Sequence, residues 1–495
     1  MSWQTFLYGC WLNCRVGTAR TIYKNTMYLG TAEIVSRVLQ FIVMLYAARL
    51  LSQEYFGKFS FALSLSLIAV VLADLGINTL LIREISRNKN LAGKYFANAF
   101  LVKVVLSFFT YLVIVAVLNI LNYPHDTRKI VYIIWLFTIL STFTELFYSI
   151  FRAFEMMFYD AFLKILRMVL LTSASLYVLF KGYGVFAFSF TFVFVEIIVV
   201  VIASLIALNK FIKLEIAFDY GFMKPMIRKA LPFGLAFVFG SIYFFIGSVM
   251  LSKMRGDTEV AIYSVAYNLA LAILFIPTVY TNAIYPVLSR YFKESKAKLN
   301  LLYEKSFKYL YIIGLPISLG LYLLAGRIIF FFYGKVYSGS IIALQIISWY
   351  LFIKFLNFLL GTVLSSIDKQ NKRMLGQGLT AGFNVLLNLF LIPKIGYIGA
   401  AWATFITEIF LFILYYRYVS KNLFFYNFSK ILLKPIIAVL AMFIFIKFSN
   451  FGLIITMLLS SIAYFAALFI LKTFDKDDYV IVKSIFQNER LPKDS

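Results

Sequence analysis

Long apolar runs follow one another along the chain, and short polar connectors separate them. At a rise of about 1.5 Å per residue, about 20 residues are needed to cross the roughly 30 Å hydrocarbon core of a bilayer. Each run approaches or exceeds that length, so each predicts a transmembrane helix. Fourteen can be placed, at residues 27–48, 57–81, 97–121, 130–151, 161–180, 184–208, 232–252, 260–288, 306–326, 339–366, 374–393, 397–416, 431–448 and 452–471.

The apolar pattern repeats in the two halves of the chain. The matching segments are 56–62 with 260–266, and 181–187 with 394–401. The two segments of the second pair, 181–187 and 394–401, are each followed by one acid inside an apolar run. This acid is Glu196 in the first half and Glu408 in the second. A repeated six-helix unit predicts two pseudo-symmetric lobes related by an axis along the membrane normal. The fold class predicted is therefore an all-α polytopic membrane protein, with two six-helix lobes and two further C-terminal helices.

The connectors and the repeat together predict the domain boundaries. We expect a cytoplasmic or interfacial N-terminal segment at 1–26, a first lobe at 27–208, a cytoplasmic linker at 209–231, a second lobe at 232–419, two helices within 420–472, and a cytoplasmic tail at 473–495.

Composition supports a membrane protein. Of 495 residues, 62% are hydrophobic and only 14% are charged, too few to give a globule of this size a polar surface. The net charge of +25 comes from short clusters of Lys and Arg between the apolar runs, which favours loops beside anionic lipid over nucleic-acid binding.

The distribution of Lys and Arg predicts the orientation. With the N-terminus in the cytoplasm, these residues are about three times as numerous in the cytoplasmic segments as in the outer loops. We therefore expect a multi-pass protein of the plasma (inner) membrane, with both termini in the cytoplasm.

Charged residues within or beside the apolar runs are the candidates for function. Inside a span, each charge facing lipid would cost about 2.5 kcal/mol or more, so we expect these charges to face protein or a water-filled cavity. The predicted transport cavity comprises Glu33, Arg37, Asp74, Lys103, Glu145, Glu196, Lys354 and Glu408, with Arg83 and Arg152 at its cytoplasmic rim.

Structural roles are an alternative for several of these charges. Glu33 and Arg37 are four residues apart on one helix and could neutralise each other. Asp74 could serve only helix packing, and Lys103 lies close enough to a helix end for its side chain to reach the interface. Glu196, Lys354 and Glu408, near the middle of their helices, are harder to explain in this way.

The mixture of charges allows two cargo classes. Arginine suits phosphate because its planar guanidinium binds two oxygens at once, which favours an anionic cargo. A buried carboxylate can instead bind a cation or a proton. We expect no cofactor, and coupling to H⁺ or Na⁺ stays open.

Signals for an enzyme or a metal site are weak. His125 is the only histidine and lies in a predicted outer loop, and no Gly-rich phosphate loop occurs. Residues 475–478 contain an acidic cluster that we interpret as solvated tail, and Cys10 and Cys14 as ordinary reduced thiols. A membrane enzyme such as a glycan polymerase or ligase remains an alternative, but it would be expected to have a larger outer loop. We therefore expect no enzymatic activity.

Several short segments resemble a known family. They are the turn at 51–57, Asp74-Leu75-Gly76 followed by Arg83-Glu84, and the glycine junctions at 182–184 and 396–401. With the fourteen-helix plan, they are similar to the polysaccharide transporters, or Wzx-type O-antigen flippases, of the multidrug/oligosaccharidyl-lipid/polysaccharide exporter (MOP) superfamily. The resemblance spans roughly residues 20–472.

This resemblance implies alternating access by two six-helix lobes. The cargo implied is a lipid-linked oligosaccharide on undecaprenyl pyrophosphate, turned from the cytoplasmic to the outer leaflet for surface polysaccharide or O-antigen biosynthesis. Implied partners are membrane lipids and possible glycan polymerases and glycosyltransferases. The alternatives are a cation-coupled multidrug antiporter of the same fold and a flippase for a lipid-linked peptidoglycan precursor.

Overall fold

The computed structural model describes residues 3–212, 219–423, 429–474 and 478, and within these ranges it contains helices and no strands. Fifteen α-helices are described: α1 (Trp3–Leu50), α2 (Gln53–Asp74), α3 (Ile77–Arg87), α4 (Ala92–Ile120), α5 (His125–Ala153), α6 (Met157–Phe180), α7 (Gly184–Lys210), α8 (Tyr220–Arg255), α9 (Asp257–Ile273), α10 (Phe275–Glu294), α11 (Lys296–Tyr333), α12 (Ser340–Ser366), α13 (Gln370–Asn422), α14 (Ser429–Phe448) and α15 (Leu453–Ile470).

The described residues contain twelve stretches long and apolar enough to cross a membrane. One of them, Gln370–Asn422, joins two predicted helices across a kink, where Ile395 and Gly396 leave helical geometry. The predicted all-α polytopic membrane protein is confirmed. The predicted N-terminal segment continues into the first span as one helix, α1, of which Met27–Leu50 is the candidate span.

Two predicted helices are interrupted. The run at 57–81 is divided because Leu75 and Gly76 both take left-handed backbone angles (φ 42° and 81°), so α2 ends at Asp74 and α3 begins at Ile77. The run at 260–288 is divided at Leu274. Pro277 then lies in the first turn of α10, where the missing N–H of proline removes no helical hydrogen bond.

The chain forms two compact units. The first contains Met1–Phe275 and Gln377–Ala403, and the second contains Ile276–Gly376 and Thr404–Ser495. The lobes predicted from the sequence repeat have other boundaries and stay a prediction.

Helix α2 lies at the centre of the first unit, against α4, α5, α8 and α9. Its aromatic side chains fill this core: Phe56, Phe59 and Phe61 are completely buried, and the Phe59 ring lies 4.8 Å from that of Phe188. Gly57 permits the closest approach, because a Cβ atom at this position would lie 1.8 Å from the backbone oxygen of Asp257. A larger residue could not bring α2 and α9 together in this way.

The second unit is built around α11, which contacts α12, α14 and α15. Gly314 lies against the Phe355 ring, and the Tyr464 hydroxyl donates a hydrogen bond of 2.9 Å to the carbonyl of Ile312. These contacts attach the C-terminal helices to the helix pair α11–α12.

Candidate functional site

The first charged pair lies on α1. Arg37 donates from Nε to the Glu33 carboxylate at 2.9 Å, and both side chains are more than a third exposed. Among the described residues, no hydrogen bond is formed by the terminal nitrogens of Arg37. The pair therefore leaves the outer edge of the guanidinium accessible.

Lys103 has a different environment from the one predicted. Its ammonium does not reach an interface: the side chain is completely buried, 2.8 Å from the Asp74 carboxylate, and it also donates to the carbonyl of Thr142 at 2.8 Å. The prediction that Lys103 could extend to the interface is wrong, because Asp74 and Thr142 surround it with acceptors inside the unit. The Asp74–Lys103 pair thus joins α2 to α4.

Glu145 and Arg152 belong to a larger cluster on α5 and α6. Arg152 lies 3.3 Å from Glu145 and 2.6 Å from Asp160, and Lys164 lies 3.1 Å from Asp160. Asp160, completely buried, was absent from the predicted site.

Arg83, the other predicted rim residue, contacts its neighbour in sequence. Its Nη2 atom lies 2.7 Å from the Glu84 carboxylate, on the short helix α3. This local pair brings none of the other predicted site residues together.

Glu196 is completely buried inside the first unit. One of its carboxylate oxygens accepts a hydrogen bond of 2.5 Å from Thr144, and the other lies 3.7 Å from Arg167. The structure therefore identifies Arg167, on α6, as the charged partner of this acid.

Lys354 and Glu408 form the corresponding arrangement in the second unit. Their charged atoms are 3.2 Å apart, and Asn357 donates to the Glu408 carboxylate at 2.7 Å. Each half of the chain thus contains a buried acid that is paired with one cation and with one neutral hydrogen-bond donor. The repeat noticed in the sequence extends to this chemistry.

A pocket opens between α1 and α9. It is lined by the polar side chains of Arg37, Gln40 and Asn268 and by apolar neighbours that include Phe41. Arg37 and Gln40 lie within the candidate span Met27–Leu50, and Asn268 lies within Asp257–Glu294. The pocket therefore places a cation and two amides together at membrane depth.

A larger cavity is also lined by α1. Its volume is about 230 Å³, and its polar lining includes Gln40, Ser141, Arg167 and Glu196. Since a water molecule takes about 30 Å³ in the liquid, the cavity has room for several. Gln40 and Met44 line both spaces, so the pocket and the cavity adjoin each other along α1.

Two of the ten predicted residues, Arg37 and Glu196, line these two spaces. The others are distributed among the pairs described above, and their role in transport stays a prediction. Sequence reasoning missed Gln40, Asn268 and Arg167. Each interrupts an apolar run, which was a usable signal.

A third group of contacts joins the beginning of α2 to the beginnings of α5 and α9. Lys58 is 95% buried and pairs with Glu54 at 2.6 Å and with Asp126. The close approach of Gly57 to Asp257 lies beside this pair. We call the contacts of Gly57, Lys58, Asp126 and Asp257 the α2–α9 junction.

The start of α8 is attached to α4 through Asp219. Asp219 caps the first turn of α8 by accepting from the Phe222 amide at 3.1 Å, and it accepts from Lys94 at 2.9 Å. Asn98 accepts from the Asp219 amide at 3.2 Å. The hydrogen bond from Lys94 holds the pKa of the Asp219 carboxyl below its ordinary value.

Asp478 corrects the interpretation of the C-terminal acidic cluster. Its side chain is 2% exposed and accepts hydrogen bonds from Lys305 at 3.2 Å, from Tyr309 at 2.8 Å and from Lys308. The prediction of a solvated tail is wrong for this residue, because neighbouring positions on α11 supply three donors to one carboxylate. Residues 475–477 lie outside the described residues.

Metal ligands do not gather in the described part of the chain, where no three His, Cys, Asp or Glu side chains lie in positions to hold an ion. The side chains of Cys10 and Cys14 lie outside the described residues. His125 is the first residue of α5.

The chain is similar to proteins of known family. Residues 22–292, more than half of the chain, match the family model described as polysaccharide biosynthesis protein, and residues 232–390 match the MatE family model. The capsular polysaccharide biosynthesis protein CapF of Staphylococcus aureus is 23% identical over 412 residues, which cover 80% of this chain and 99% of that protein.

Solved structures share the fold. The lipid II flippase MurJ in an inward closed conformation has a TM-score of 0.74 at 16% identity, with 92% of this chain and 98% of that chain covered. A multidrug resistance MATE family transporter of the MOP superfamily, in an inward-facing conformation, has a TM-score of 0.64 at 16% identity, with 78% and 95% covered. The expected MOP fold is confirmed, and the chain belongs to the polysaccharide biosynthesis protein family.

Proposed function

We propose that this protein is a flippase that carries a lipid-linked oligosaccharide from the cytoplasmic to the outer leaflet by alternating access. The carrier lipid is undecaprenyl pyrophosphate, and the oligosaccharide is a unit of a surface polysaccharide or O-antigen. Both termini face the cytoplasm, and the membrane is the plasma (inner) membrane. Family membership and the capsular relative support the substrate class.

The observation that carries this proposal is the position of Arg37. Its guanidinium lies in a pocket at membrane depth, its outer edge is accessible, and two amides line the same pocket. A pyrophosphate offers the paired anionic oxygens that a guanidinium binds in a planar, two-point contact. Arg37 therefore receives the pyrophosphate in our proposal.

We propose transport without chemistry on the cargo. The partners we expect are membrane lipids, glycosyltransferases that build the cargo and a polymerase that uses it. Coupling of turnover to H⁺ or Na⁺ belongs to the same proposal, with Glu196 as the acid that lines a cavity.

A deletion strain tests the proposal. Completed lipid-linked oligosaccharides are expected to accumulate on the cytoplasmic face, as measured by the sidedness of the lipid-linked glycans, and the wild-type gene is expected to restore export. Arg37→Ala should abolish export at an unchanged amount of protein, while Arg37→Lys should restore only part of it, because an ammonium lacks the planar fork.

Two control variants separate the effect of losing the Arg37 guanidinium on export from other effects. Glu33→Gln removes the partner of Arg37 and keeps the guanidinium, so export should continue. Lys181→Ala removes a positive charge at the exposed turn before α7 and should have no effect. Normal export from Arg37→Ala would contradict the assignment of this residue.

A cation-coupled multidrug antiporter of the same fold is the second candidate, favoured by the buried Glu196 carboxylate in its cavity. Normal surface glycan in the deletion strain, together with drug sensitivity that overexpression reverses, would support it over the flippase. A lipid-linked peptidoglycan precursor as cargo would instead make the deletion lethal.

A further inference from the structure

We propose that Gln40 and Asn268 form a carboxamide clamp for the sugar that adjoins the pyrophosphate of the cargo. This inference rests on the proposed function and names the part of the cargo that the pocket beside Arg37 distinguishes. The clamp consists of the two side-chain amides and the apolar face offered by Phe41.

The two amides lie beside the proposed anion site. Gln40 is three residues after Arg37, so the two side chains lie on neighbouring positions of one helix face. Asn268 reaches the same pocket from α9. A group attached directly to a pyrophosphate at Arg37 would meet these amides first.

Neither amide has a structural partner among the described residues. Gln40 is exposed, Asn268 is half-buried, and the side chain of neither forms a hydrogen bond within the described chain. Amides that serve helix packing behave differently: Asn388 donates to Asn384 at 2.8 Å, and both are buried. Gln40 and Asn268 are therefore positioned for something outside the protein chain.

Their depth in the membrane requires polar contents in the pocket. A carboxamide facing lipid would leave a donor and an acceptor unsatisfied, which is strongly unfavourable in hydrocarbon. Water can satisfy them while the pocket is empty of cargo. A polar cargo that replaces this water has to provide both donors and acceptors.

Sugar hydroxyls match this requirement and phosphate does not. A carboxamide has an N–H₂ donor and a carbonyl acceptor, and a hydroxyl both donates and accepts. Ionised phosphate oxygens accept only, so they would leave the amide carbonyls unpaired. The apolar face of a sugar ring can lie against Phe41 and Leu271, which line the same pocket.

Binding to the purified protein tests the clamp with two probes. One is undecaprenyl pyrophosphate without sugar, and the other is the lipid-linked oligosaccharide isolated from the deletion strain. For Gln40→Ala and for Asn268→Ala, we expect roughly tenfold weaker binding of the glycan-bearing lipid, the loss that corresponds to about one net hydrogen bond. Binding of the sugar-free lipid should not change.

Three further variants make the result specific. Arg37→Ala should weaken both lipids, and Thr31→Ala, an exposed polar change on α1 outside the pocket, should weaken neither. Asn268→Leu preserves the size of the side chain and should behave as Asn268→Ala does, which separates the lost amide from a disturbed fold. Thermal unfolding of every variant provides the check on folding.

The possible failures differ from one another. Equal weakening of both lipids by the amide variants, or no weakening of the glycan-bearing lipid, would overturn the clamp and leave the flippase standing. If the wild-type protein binds neither lipid, the proposed function fails, and the clamp fails with it.

Discussion

Charged residues in the spans differ in how much their pairing stabilises the protein. Glu33 and Arg37 are both more than a third exposed, and an exposed pair contributes about 0–1 kcal/mol. Glu196 is completely buried, and its partner Arg167 is only 26% exposed. Breaking a buried pair is strongly destabilising because it leaves one charge without compensation. Substitutions in the Glu33–Arg37 pair can therefore test function with little effect on stability. Substitutions in the Glu196–Arg167 pair are expected to lower stability as well.

Arg167→Met tests this difference at the residue scale. We expect it to lower the free energy of unfolding by about 3 kcal/mol, since it leaves the Glu196 carboxylate with Thr144 alone. The double variant Arg167→Met/Glu196→Gln should recover part of that loss, because it removes both charges. Unfolding of the purified protein in denaturant measures both values, and Arg37→Ala provides the comparison with an expected loss below about 1 kcal/mol. Equal losses for Arg167→Met and Arg37→Ala would contradict the structural role.

The sequence could locate these charges but not their partners. Apolar runs show that Glu196 and Lys354 lie at membrane depth, because run length and hydropathy are local properties. Arg167 is 29 positions before Glu196 in the chain, and only tertiary packing brings the two together. The same limit applies to Gln40 and Asn268, which come from two helices and share one pocket.

At the scale of elements, the sequence predicted helices well and their interruptions poorly. The run at 57–81 is mostly apolar, yet Leu75 adopts a left-handed conformation that apolar periodicity does not encode. The start of α8 is recognisable locally, since Asp219 is a residue type preferred at helix N-caps. Its attachment to α4 through Lys94 and Asn98 depends again on tertiary contact.

The attachment of α8 to α4 should depend on pH. Because the pKa of Asp219 is lowered in the folded protein, its carboxylate stabilises the contact above the ordinary Asp pKa of about 3.9, and that contribution is lost as the pH falls through the lower folded value. Hydrogen exchange of the Phe222 amide should therefore show less protection at acid pH than at neutral pH. In Asp219→Asn the protection should not vary with pH over this range, and an identical pH response in both proteins would contradict the role of this carboxyl.

At the scale of the whole molecule, alternating access requires in our proposal that the contacts of the α2–α9 junction break. In the proposed orientation it lies on the outer side of the membrane. Lys58 pairs there with two acids, and backbone meets backbone at Gly57. The beginning of α2 is thus attached both to α5 and to α9.

Gly57→Val tests the junction. The added side chain has no room against Asp257, so we expect the two helix ends to separate and export to fall sharply at an unchanged amount of protein. In a Cys10→Ser/Cys14→Ser background, a Ser248→Cys reporter, at a position now 6% exposed, should be labelled several-fold faster from outside in Gly57→Val than in the parent. Gly30→Val is the matched control, because a Cβ at Gly30 meets nothing within 4 Å. Slow labelling with full export in Gly57→Val would show that the junction does not need this close approach.

The burial of Asp478 has a consequence for mapping the topology with reporter fusions. Lys305, Lys308 and Tyr309 all donate to the Asp478 carboxylate. A reporter joined directly after α15 would put a foreign sequence in place of this carboxylate. The resulting chain would report the side of the membrane on which α15 ends, but with α11 deprived of one of its anchors. Fusions that retain Asp478 keep that anchor and are the better indicators of where the C-terminus of the native protein lies.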